Sequence, residues 1–232
     1  MVIEMRMRKK KHLEERLKNV SEYLFISDIE DRNFNTAAQT TEYIDFDGWF
    51  ERTAPYMLEI GCGKGGFAVE YAKRNPDINL IAVEKDANVI VAACEKAKAE
   101  KIKNLRFLKC SAEYLPKYIK PHTVERIFLN FSCPFPKNKY ASHRLTHPKF
   151  LKIYREIMKS GAEIHQKTDN MGLFEFSVES LSGGGFALKN VSLDLHNSGF
   201  EGNIETEYEH KFASAGLPIY RLEAYIPKIK EE

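Results

Sequence analysis

Residues 56–67 read Tyr-Met-Leu-Glu-Ile-Gly-Cys-Gly-Lys-Gly-Gly-Phe, an apolar run that passes into a glycine-rich turn and then into an amphipathic segment. The run Tyr56–Ile60 predicts a buried strand, and the segment after the glycines predicts a helix. Gly61, Gly63 and Gly65 stand between them, where small residues let the chain turn tightly and let a ligand approach the backbone. We therefore expect a nucleotide-binding turn between the first strand and the first helix of an α/β fold.

An acidic residue lies at the distance from this turn that a ribose-binding carboxylate requires. Glu84 follows Gly65 by 19 residues and ends the next predicted strand, where an acid can accept hydrogen bonds from both ribose hydroxyls. Together they indicate a cofactor that contains adenosine. Gly61, Gly63 and Gly66 also satisfy the G-x-G-x-x-G pattern of a dinucleotide site, so a nicotinamide cofactor and a turn without any ligand stay open as alternatives.

Two further features favour S-adenosylmethionine over a nicotinamide dinucleotide. Glu59 precedes the glycines, where a carboxylate would repel a pyrophosphate but could bind the cationic methionine end of S-adenosylmethionine. The third predicted strand ends in Cys110-Ser111-Ala112, followed by Glu113, and we expect this polar turn to cover the adenine edge. The alternative for Glu59 is a strand-end acid that backbone amides satisfy.

Short apolar runs alternate with longer amphipathic segments from residue 56 onward. Such alternation predicts a mostly parallel sheet with helices on both faces. We expect one α/β, Rossmann-like domain at residues 48–232, preceded by a basic N-terminal extension at residues 1–47. The seven predicted strands are Tyr56–Ile60, Leu80–Val83, Leu105–Lys109, Ile127–Phe131, Ala162–His165, Phe186–Leu193 and Ile219–Tyr225. The predicted helices are Gly66–Arg74, Asp86–Lys101, Ala112–Ile119, Pro148–Met158 and Leu173–Leu181.

The overall composition excludes several classes of protein. With 232 residues, of which 43% are hydrophobic and 29% charged, the chain can bury a full core, which excludes wholesale disorder. Its apolar stretches are shorter than the ~20 residues that a membrane span needs, and the basic start lacks the apolar core of a signal peptide. We therefore expect a cytoplasmic protein without a membrane partner. The cysteines are too scattered for a disulfide framework or a zinc clip, so we expect no metal; they are Cys62, Cys94, Cys110 and Cys133.

The near-neutral total of 35 basic against 33 acidic residues conceals charged segments of opposite sign. Seven basic and three acidic residues lie between Met1 and Lys18. Residues 126–155 contain no carboxylate and carry seven positive charges, on Arg126, Lys137, Lys139, Arg144, Lys149, Lys152 and Arg155. Such a stretch is typical of phosphate-backbone binding rather than of a solvated face of mixed sign. The compensating acids come late, at Asp194, Glu201, Glu205, Glu207 and Glu209.

The fourth predicted strand runs into a proline-rich loop, Cys133-Pro134-Phe135-Pro136-Lys137. Ligands of open α/β sheets bind beyond the carboxyl ends of the strands, and two prolines stiffen a loop there at little entropic cost. An aromatic side chain such as Phe135 can stack on a base. The loop is therefore a candidate for the part of the site that meets the substrate.

Five segments together resemble the bacterial tRNA (guanine-N7)-methyltransferases. They are LEIGCGKGGF at 58–67, LNFSCPFPK at 129–137, HRLTHPKFL at 143–151, EIHQKTDN at 163–170 and DLHNSGFEGNIETEYEHKF at 194–212. The resemblance implies a class I, Rossmann-like, S-adenosylmethionine-dependent methyltransferase. Its expected reaction is methylation of N7 of a guanine in the tRNA variable loop, at position 46, by a monomer or a homodimer.

The glycine turn and the resemblance together assign expected roles to individual residues. The expected cofactor-binding residues are Glu59, Gly61, Gly63, Gly65, Glu84, Ser111, Ala112 and Cys133. The expected substrate-binding residues are Lys137, Lys139, Arg144, Asp169, Thr206, Glu207, Tyr208 and Glu209.

The chain departs from the family pattern at three of its expected site positions. The family usually reads SDPWPK where this chain reads SCPFPK, so Cys133 and Phe135 replace an aspartate and a tryptophan, and Ser111 stands where Asp or Asn is usual. A thiol cannot give the charge-assisted hydrogen bond of a carboxylate, which is worth roughly 1.5–3 kcal/mol. Backbone amides or Glu113 could offset part of that loss.

Methyl transfer to guanine N7 needs no general base, because this nitrogen carries a free lone pair at neutral pH. It needs alignment of the nitrogen, the methyl group and the sulfur. Because the guanine becomes cationic, nearby carboxylates would stabilise the developing charge and accept protons of its Watson–Crick edge. Asp169 and Glu209 are the expected catalytic acids; the alternatives are a helix N-cap for Asp169 and a solvated acid for Glu209. Lys137 and Arg144 are expected to hold phosphates.

Three other functions stay open. Cytosine-5 methyltransferases place a nucleophilic cysteine beside a proline after the fourth strand, so Cys133 could be the nucleophile of an RNA cytosine-5 methyltransferase. A tRNA-binding protein with weakened catalysis would fit the acids missing at Ser111 and Cys133. A nicotinamide oxidoreductase would bind NAD and have no use for the basic stretch.

Overall fold

The computed structural model describes residues 11–27 and 40–227, so Arg6, Arg8, Lys9 and Lys10 of the predicted basic extension lie outside the described residues. Within them, eight strands form one sheet. The strands are β1 (Leu24–Ile26), β2 (Tyr56–Ile60), β3 (Asn79–Val83), β4 (Leu105–Lys109), β5 (Val124–Asn130), β6 (Met158–Thr168), β7 (Ala187–Ser192) and β8 (Tyr220–Tyr225).

This part of the chain also contains eight α-helices and two short 3-10 segments; one helix precedes the first strand, and the others lie between strands. Several helices begin at a residue whose side chain caps the first turn; in the longest crossover helix, for example, Asp86 accepts from the Asn88 amide at 2.7 Å. The α-helices are α1 (Leu13–Asn19), α2 (Phe46–Phe50), α3 (Gly66–Arg74), α4 (Ala87–Ala99), α5 (Leu115–Tyr118), α6 (Pro148–Ile157), α7 (Met171–Gly183) and α8 (Glu207–Ala213). The 3-10 segments are Ala112–Tyr114 and Asn138–His143.

The strand order in the sheet is β1-β4-β3-β2-β5-β6-β8-β7. The strands β1 to β6 are parallel to one another, whereas β8 pairs antiparallel with both β6 and β7. The predicted α/β, mostly parallel sheet is confirmed, but the predicted number of seven strands is wrong. The additional strand is β1, whose Leu24 pairs with Phe107. Its three residues are too few to show a strand periodicity in the sequence.

Helices cover both faces of the sheet, and each face has its own apolar core. On one face, Tyr154 of α6 belongs to the same buried cluster as Leu58 of β2. On the other face, Ile90 of α4 belongs to a cluster with Phe107 of β4. Parallel strands that are buried on both faces read as nearly continuous apolar runs, which is why β2 and β3 are visible in the sequence.

Residues 11–27 pack directly against this domain. Arg16 of α1 donates two hydrogen bonds to the carboxylate of Glu95 in α4, at 2.7 and 2.6 Å. Past the end of β1, the hydroxyls of Ser27 and Tyr118 are 2.6 Å apart. Part of the segment that the sequence assigns to an extension therefore supplies one edge of the sheet.

The strand order also determines where a ligand can bind. The chain leaves β2 through α3 toward β3, and it leaves β5 through α6 toward β6, on the opposite side. A crevice forms beyond the carboxyl ends of two neighbouring parallel strands whose connections diverge in this way. Among the described helices, none has the length and apolar character that crossing a membrane would require.

Candidate active site

The glycine turn after β2 has a backbone conformation that residues with a side chain rarely adopt. Gly63 and Gly65 have φ angles of 57° and 75°, in the left-handed region that favours glycine. A Cβ atom on Gly65 would also lie only 2.8 Å from the Cβ of Ala93 in α4. The turn therefore needs glycine both for its conformation and for close packing of α3 against α4.

Glu84, at the end of β3, connects this turn with the start of α4. Its Oε2 accepts from the Gly63 amide at 3.3 Å, and its Oε1 accepts from the Asp86 amide at 3.0 Å. The side chain is only partly buried, and each carboxylate oxygen can accept a second hydrogen bond. These contacts fit an acid that holds two ribose hydroxyls while it fixes the glycine turn.

Glu59, in β2, has one satisfied and one unsatisfied carboxylate oxygen. Its Oε1 accepts from Nδ2 of Asn130 at 3.1 Å, whereas its buried Oε2 has no hydrogen-bond partner among the described residues. The residue is 2% exposed, and burial raises the pKa of its carboxyl group to about 7. A buried polar atom without a partner is rare in proteins. The unsatisfied oxygen therefore fits a cationic ligand group such as the ammonium of S-adenosylmethionine.

The turn after β4 contains a carboxylate, that of Glu113, which is hydrogen-bonded to Ser111. The Ser111 hydroxyl donates a short hydrogen bond to Glu113, and Lys149 Nζ lies 3.1 Å from Glu113 Oε1. Burial works to raise the pKa of Glu113, but the bonds from Ser111 and Lys149 outweigh it and lower that pKa. Glu113 is therefore ionised at neutral pH, two residues beyond the family position that Ser111 occupies. Ala112, also expected at the cofactor, is buried at the start of the 3-10 segment.

The loop after β5 is strained and is held from behind by an arginine. Phe131 and Phe135 have φ angles of 50° and 40°, which are unusual for bulky residues. Arg144 is 8% exposed, and it donates to the carbonyls of Pro134 and Phe135, at 3.1 Å in each case. This guanidinium, which the sequence assigned to a phosphate, is therefore occupied within the protein. The thiol of Cys133, in contrast, is exposed.

The two lysines of the basic loop remain accessible. Lys137 and Lys139 are exposed, and Lys139 Nζ lies 5.0 Å from the ring centroid of Tyr140. They flank the start of the 3-10 segment 138–143, in which no carboxylate occurs. Among the described residues, both lysine side chains therefore face solvent.

Asp169 lies at the end of β6 and is not the cap of α7. The cap is Asn170, whose Oδ1 accepts from the Leu173 amide at 2.8 Å. Burial raises the pKa of Tyr208, and the charges of Asp169 and Cys133 raise it further. Tyr208 therefore lies within range of both charges, although the three residues belong to different segments. Tyr208 is 49% exposed, and its ring centroid lies 5.2 Å from that of Phe131.

The segment 206–209 begins α8 and contributes one exposed and one buried acid. Thr206 Oγ1 caps the helix by accepting from the Glu209 amide at 3.0 Å, and Glu207 is exposed. Glu209 is 0% exposed, and its carboxylate accepts from Lys167 at 2.6 Å and from Asn203 at 2.7 Å. Of the two predicted catalytic acids, Asp169 is the accessible one.

Sequence reasoning missed the polar residues that support these groups. Asn130, Lys167 and Asn203 each hold an acid of the site. A signal existed for Lys167, because a lysine inside a strand with buried neighbours requires a buried partner. The sequence T-x-x-E at 206–209 is likewise the pattern of a helix N-terminus.

A second charged cluster lies on β6 and β8, apart from this site. Glu163, His165 and Glu223 bring potential metal-ligand atoms within 4.8 Å of one another. Lys189 contacts both acids, and Arg221 pairs with Glu223. Protein cations thus already balance the negative charge of this cluster.

Taken together, the fold and the site are those of a Rossmann-like, S-adenosylmethionine-dependent methyltransferase. Two solved structures share the fold at low identity. The 16S rRNA methyltransferase KamB matches with a TM-score of 0.57 and 15% identity, over 87% of this chain and 96% of that one. The aminoglycoside resistance methyltransferase NpmB1 matches with a TM-score of 0.56 and 18% identity, over 80% of this chain and 95% of that one.

Comparison of sequences gives the family. Residues 53–222 match a family described as putative methyltransferases. The tRNA (guanine-N(7)-)-methyltransferase of Macrococcus caseolyticus is 48% identical over 76% of this chain and 84% of its own length. The enzyme of the same name from Bacillus subtilis is 49% identical over 75% of this chain and 82% of its own length. The chain belongs to the tRNA (guanine-N(7)-)-methyltransferase family, as its motifs predict.

Proposed function

We propose that the protein transfers the methyl group of S-adenosylmethionine to N7 of a guanine in the tRNA variable loop, at position 46, and so produces 7-methylguanosine. The observation that supports this proposal is the strand order, which puts the carboxyl ends of β2, β5 and β6 next to one another. Two groups of residues, which we call half-sites, lie at or after these ends. One contains the unsatisfied oxygen of Glu59 and the glycine turn. The other contains Asp169, Tyr208 and Cys133.

The first half-site fits the cofactor. The glycine turn lets the cofactor approach the protein backbone. Glu84 accepts hydrogen bonds from the ribose hydroxyls, and Glu59 accepts from the ammonium of the methionine end. We assign Ser111, Ala112 and Cys133 to the cofactor as well, and the Ser111 hydroxyl donates to the carboxylate of Glu113. When bound, the cofactor supplies a methyl group on a positively charged sulfur.

The second half-site fits a guanine. Its N7 lone pair would bond to the methyl carbon as the carbon–sulfur bond breaks and the sulfur becomes a neutral thioether. The protein therefore has to align the base and exclude alternative nucleophiles rather than remove a proton. Asp169 can accept from the Watson–Crick edge and stabilise the positive charge that the base acquires. Because Glu209 is fully buried among hydrogen-bond donors, we assign the contact with the base to Asp169 and a supporting role to Glu209.

The exposed lysines fit the RNA backbone around that base. Lys137 and Lys139 lie in a stretch without acids, next to the loop that carries Cys133. Contacts of lysine with phosphates fix the register of a nucleic acid without reading its sequence. A tRNA substrate also supports a cytoplasmic location.

The decisive experiment offers the purified protein unmodified tRNA and S-adenosylmethionine with a labelled methyl group. We expect the label in 7-methylguanosine after nuclease digestion, and we expect none with a tRNA in which adenine replaces the guanine at position 46. Label on a pyrimidine, or the absence of transfer, would contradict the proposed reaction. Equal labelling of the two tRNAs would contradict the proposed position.

The exposed thiol of Cys133 supports a second candidate, an RNA cytosine-5 methyltransferase. That reaction requires a covalent bond between the cysteine and the base, which guanine N7 methylation does not. We expect Cys133→Ala to retain tRNA methylation and the unmodified protein to form no adduct with RNA that contains 5-fluorocytosine. A stable adduct that Cys133→Ala abolishes would establish the cytosine reaction instead.

A further inference from the structure

Lys167, near the end of β6, donates all its side-chain hydrogen bonds to one segment of the chain. Its Nζ donates to Asn203 Oδ1 and to the Ile204 carbonyl, at 2.9 Å each, and to Glu209 Oε2 at 2.6 Å. An ammonium group has three protons, so each has an acceptor, and all acceptors lie between residues 203 and 209. The side chain is only 8% exposed.

The acceptors of Lys167 are themselves bonded to one another. Asn203 accepts from Lys167 and donates from Nδ2 to Glu209 Oε1 at 2.7 Å. The three side chains form a closed ring, to which His196 adds a contact of 3.1 Å with Glu209. A buried network with every member satisfied is rigid and has one geometry. The ring therefore fixes the start of α8 to the sheet.

The same ammonium lies beside the cofactor half-site. Lys167 pairs with Asn130 in the register of β5 and β6, so their side chains point to the same face. Asn130 donates to Glu59, and the charge of Lys167 favours the ionised form of Glu59, lowering its pKa against the effect of burial. The rings of Phe67 and Phe131 lie 5.9 and 5.7 Å from Nζ.

The hydrogen-bonded ring of Lys167, Asn203 and Glu209 also determines where Tyr208 lies. Tyr208 directly precedes Glu209, and its ring contacts Phe131 near Asp169. Since α8 has only seven residues, its own hydrogen bonds are too few to hold it in place. Without the anchor, Tyr208 would lose its fixed position relative to the loop after β5.

We propose that Lys167 is a positioning residue of the methyl-transfer site, which anchors segment 203–209 so that Tyr208 lies beside Asp169 and faces the cofactor that Glu59 holds. This inference rests on the proposed function. It assigns no chemistry to Lys167, because its three protons are committed within the protein. It predicts that the segment and the cofactor acid depend on one side chain that touches neither the base nor the cofactor.

The test compares Lys167→Met with the double variant Lys167→Met/Glu209→Met. The single variant leaves a buried carboxylate without its cation, which destabilises a protein, whereas replacement of both partners by apolar residues is often neutral. The double variant therefore removes the anchor without the destabilisation that an unpaired buried carboxylate would cause. Lys189→Met is the matched control, because Lys189 pairs with Glu163 and Glu223 on the same sheet outside the site.

For the double variant we expect an unfolding midpoint close to that of the unmodified protein, together with faster hydrogen exchange of the amides at 203–213. We expect kcat to fall by about a hundredfold, the size of effect that a misplacement of ~1 Å can cause. KM for tRNA should change less than kcat, because the exposed Lys137 and Lys139 lie outside segment 203–209. S-adenosylhomocysteine should bind more weakly by calorimetry, and Lys189→Met should behave as the unmodified protein does.

A double variant with unchanged exchange and unchanged kcat would overturn the proposal. A Glu209→Gln variant supplies a further criterion, because the amide oxygen can still accept from Lys167. Retained exchange protection and retained kcat in Glu209→Gln support an anchor, whereas retained protection with lost kcat would make Glu209 catalytic and overturn it. If the unmodified protein does not methylate tRNA, the proposed function fails, while hydrogen exchange and cofactor affinity still test the anchor.

Discussion

At the scale of single residues, Glu59 shows that a group suited to binding a ligand can lower the stability of the ligand-free protein. Burial raises the pKa of its carboxyl group to about 7, so the ligand-free folded protein takes up a proton that the unfolded chain releases at lower pH. The protein is therefore most stable, with respect to this group, below the ordinary pKa of a glutamate, and it loses that stability as the pH rises toward 7. A cation bound at this carboxylate would stabilise the ionised form and offset that loss.

We predict that cofactor affinity depends on pH through Glu59. An ammonium group binds the ionised carboxylate, so the affinity for S-adenosylhomocysteine should rise with pH and level off above about 7. Well below that value, the slope should approach about tenfold per pH unit, as expected for one titrating group. Calorimetry between pH 5.5 and 8.5, in steps of about 0.5, measures this profile. A flat profile would exclude Glu59 as the partner of the ammonium.

The matched variant is Glu59→Gln, which keeps an acceptor for Asn130 and removes the charge. We predict that it is more stable than the unmodified protein at pH 8, by roughly 3 kcal/mol, since each unit of pKa shift corresponds to about 1.4 kcal/mol. Its cofactor affinity should be low and independent of pH. Urea denaturation at pH 8 and at pH 5 checks the sign, because the gain should disappear at the lower pH. Equal stability of the two proteins at pH 8 would contradict this reasoning.

At the scale of elements, the basic stretch 126–155 contains cations that are exposed to solvent and cations that form hydrogen bonds within the protein. Lys139 is exposed, whereas Arg144 holds the loop after β5 through two carbonyls. Arg144 also lies with its guanidinium carbon 4.5 Å from the ring centroid of Phe176 in α7. A charge count cannot separate these roles, because both side chains are cations in the same acid-free segment.

We predict that replacing the two cations affects different quantities. Arg144→Gln should lower kcat and destabilise the protein by about 1.5–3 kcal/mol, the value of hydrogen bonds to a charged group, with little change in tRNA affinity. Lys139→Gln should weaken tRNA binding and reduce the slope of log affinity against log salt by about 1, with kcat unchanged. Filter binding at several salt concentrations and steady-state kinetics distinguish them. A loss of tRNA affinity in Arg144→Gln with unchanged kcat would return Arg144 to the phosphate backbone.

At the scale of the whole molecule, the cofactor half-site combines the turn after β2, the end of β3 and the turn after β4. A ligand that binds only when these elements are assembled stabilises the entire fold. We predict that S-adenosylhomocysteine at 100 times its dissociation constant raises the free energy of unfolding by about 2.7 kcal/mol. Urea denaturation with and without the ligand measures this, and Glu84→Ala should reduce the gain at the same ligand concentration. An unchanged midpoint would mean that the folded protein does not bind the ligand in preference to the unfolded chain.

Most of the fold and the geometry of the glycine turn could be predicted from the sequence, because their signals are local. The glycine turn and Glu84 lie within one strand, helix and strand, and the apolar runs of β2 to β8 are visible. The anchor formed by Lys167 could not be predicted in this way, since its partners Asn203 and Glu209 lie 36 and 42 residues away along the chain. The buried state of Arg144 depends on packing against α7, which no local pattern records.

The position of β1 has a consequence for synthesis on the ribosome. β1 is the first of the described strands to be made, yet its partner residue for Leu24 is Phe107, 83 residues further on. At a translation rate of about 5–20 residues per second, its backbone groups stay unpaired for roughly 4–17 seconds. Long apolar edges left open for such times invite pairing with other nascent chains. A strand of three residues offers few groups for that, so the edge that is made first is also the one least able to mispair.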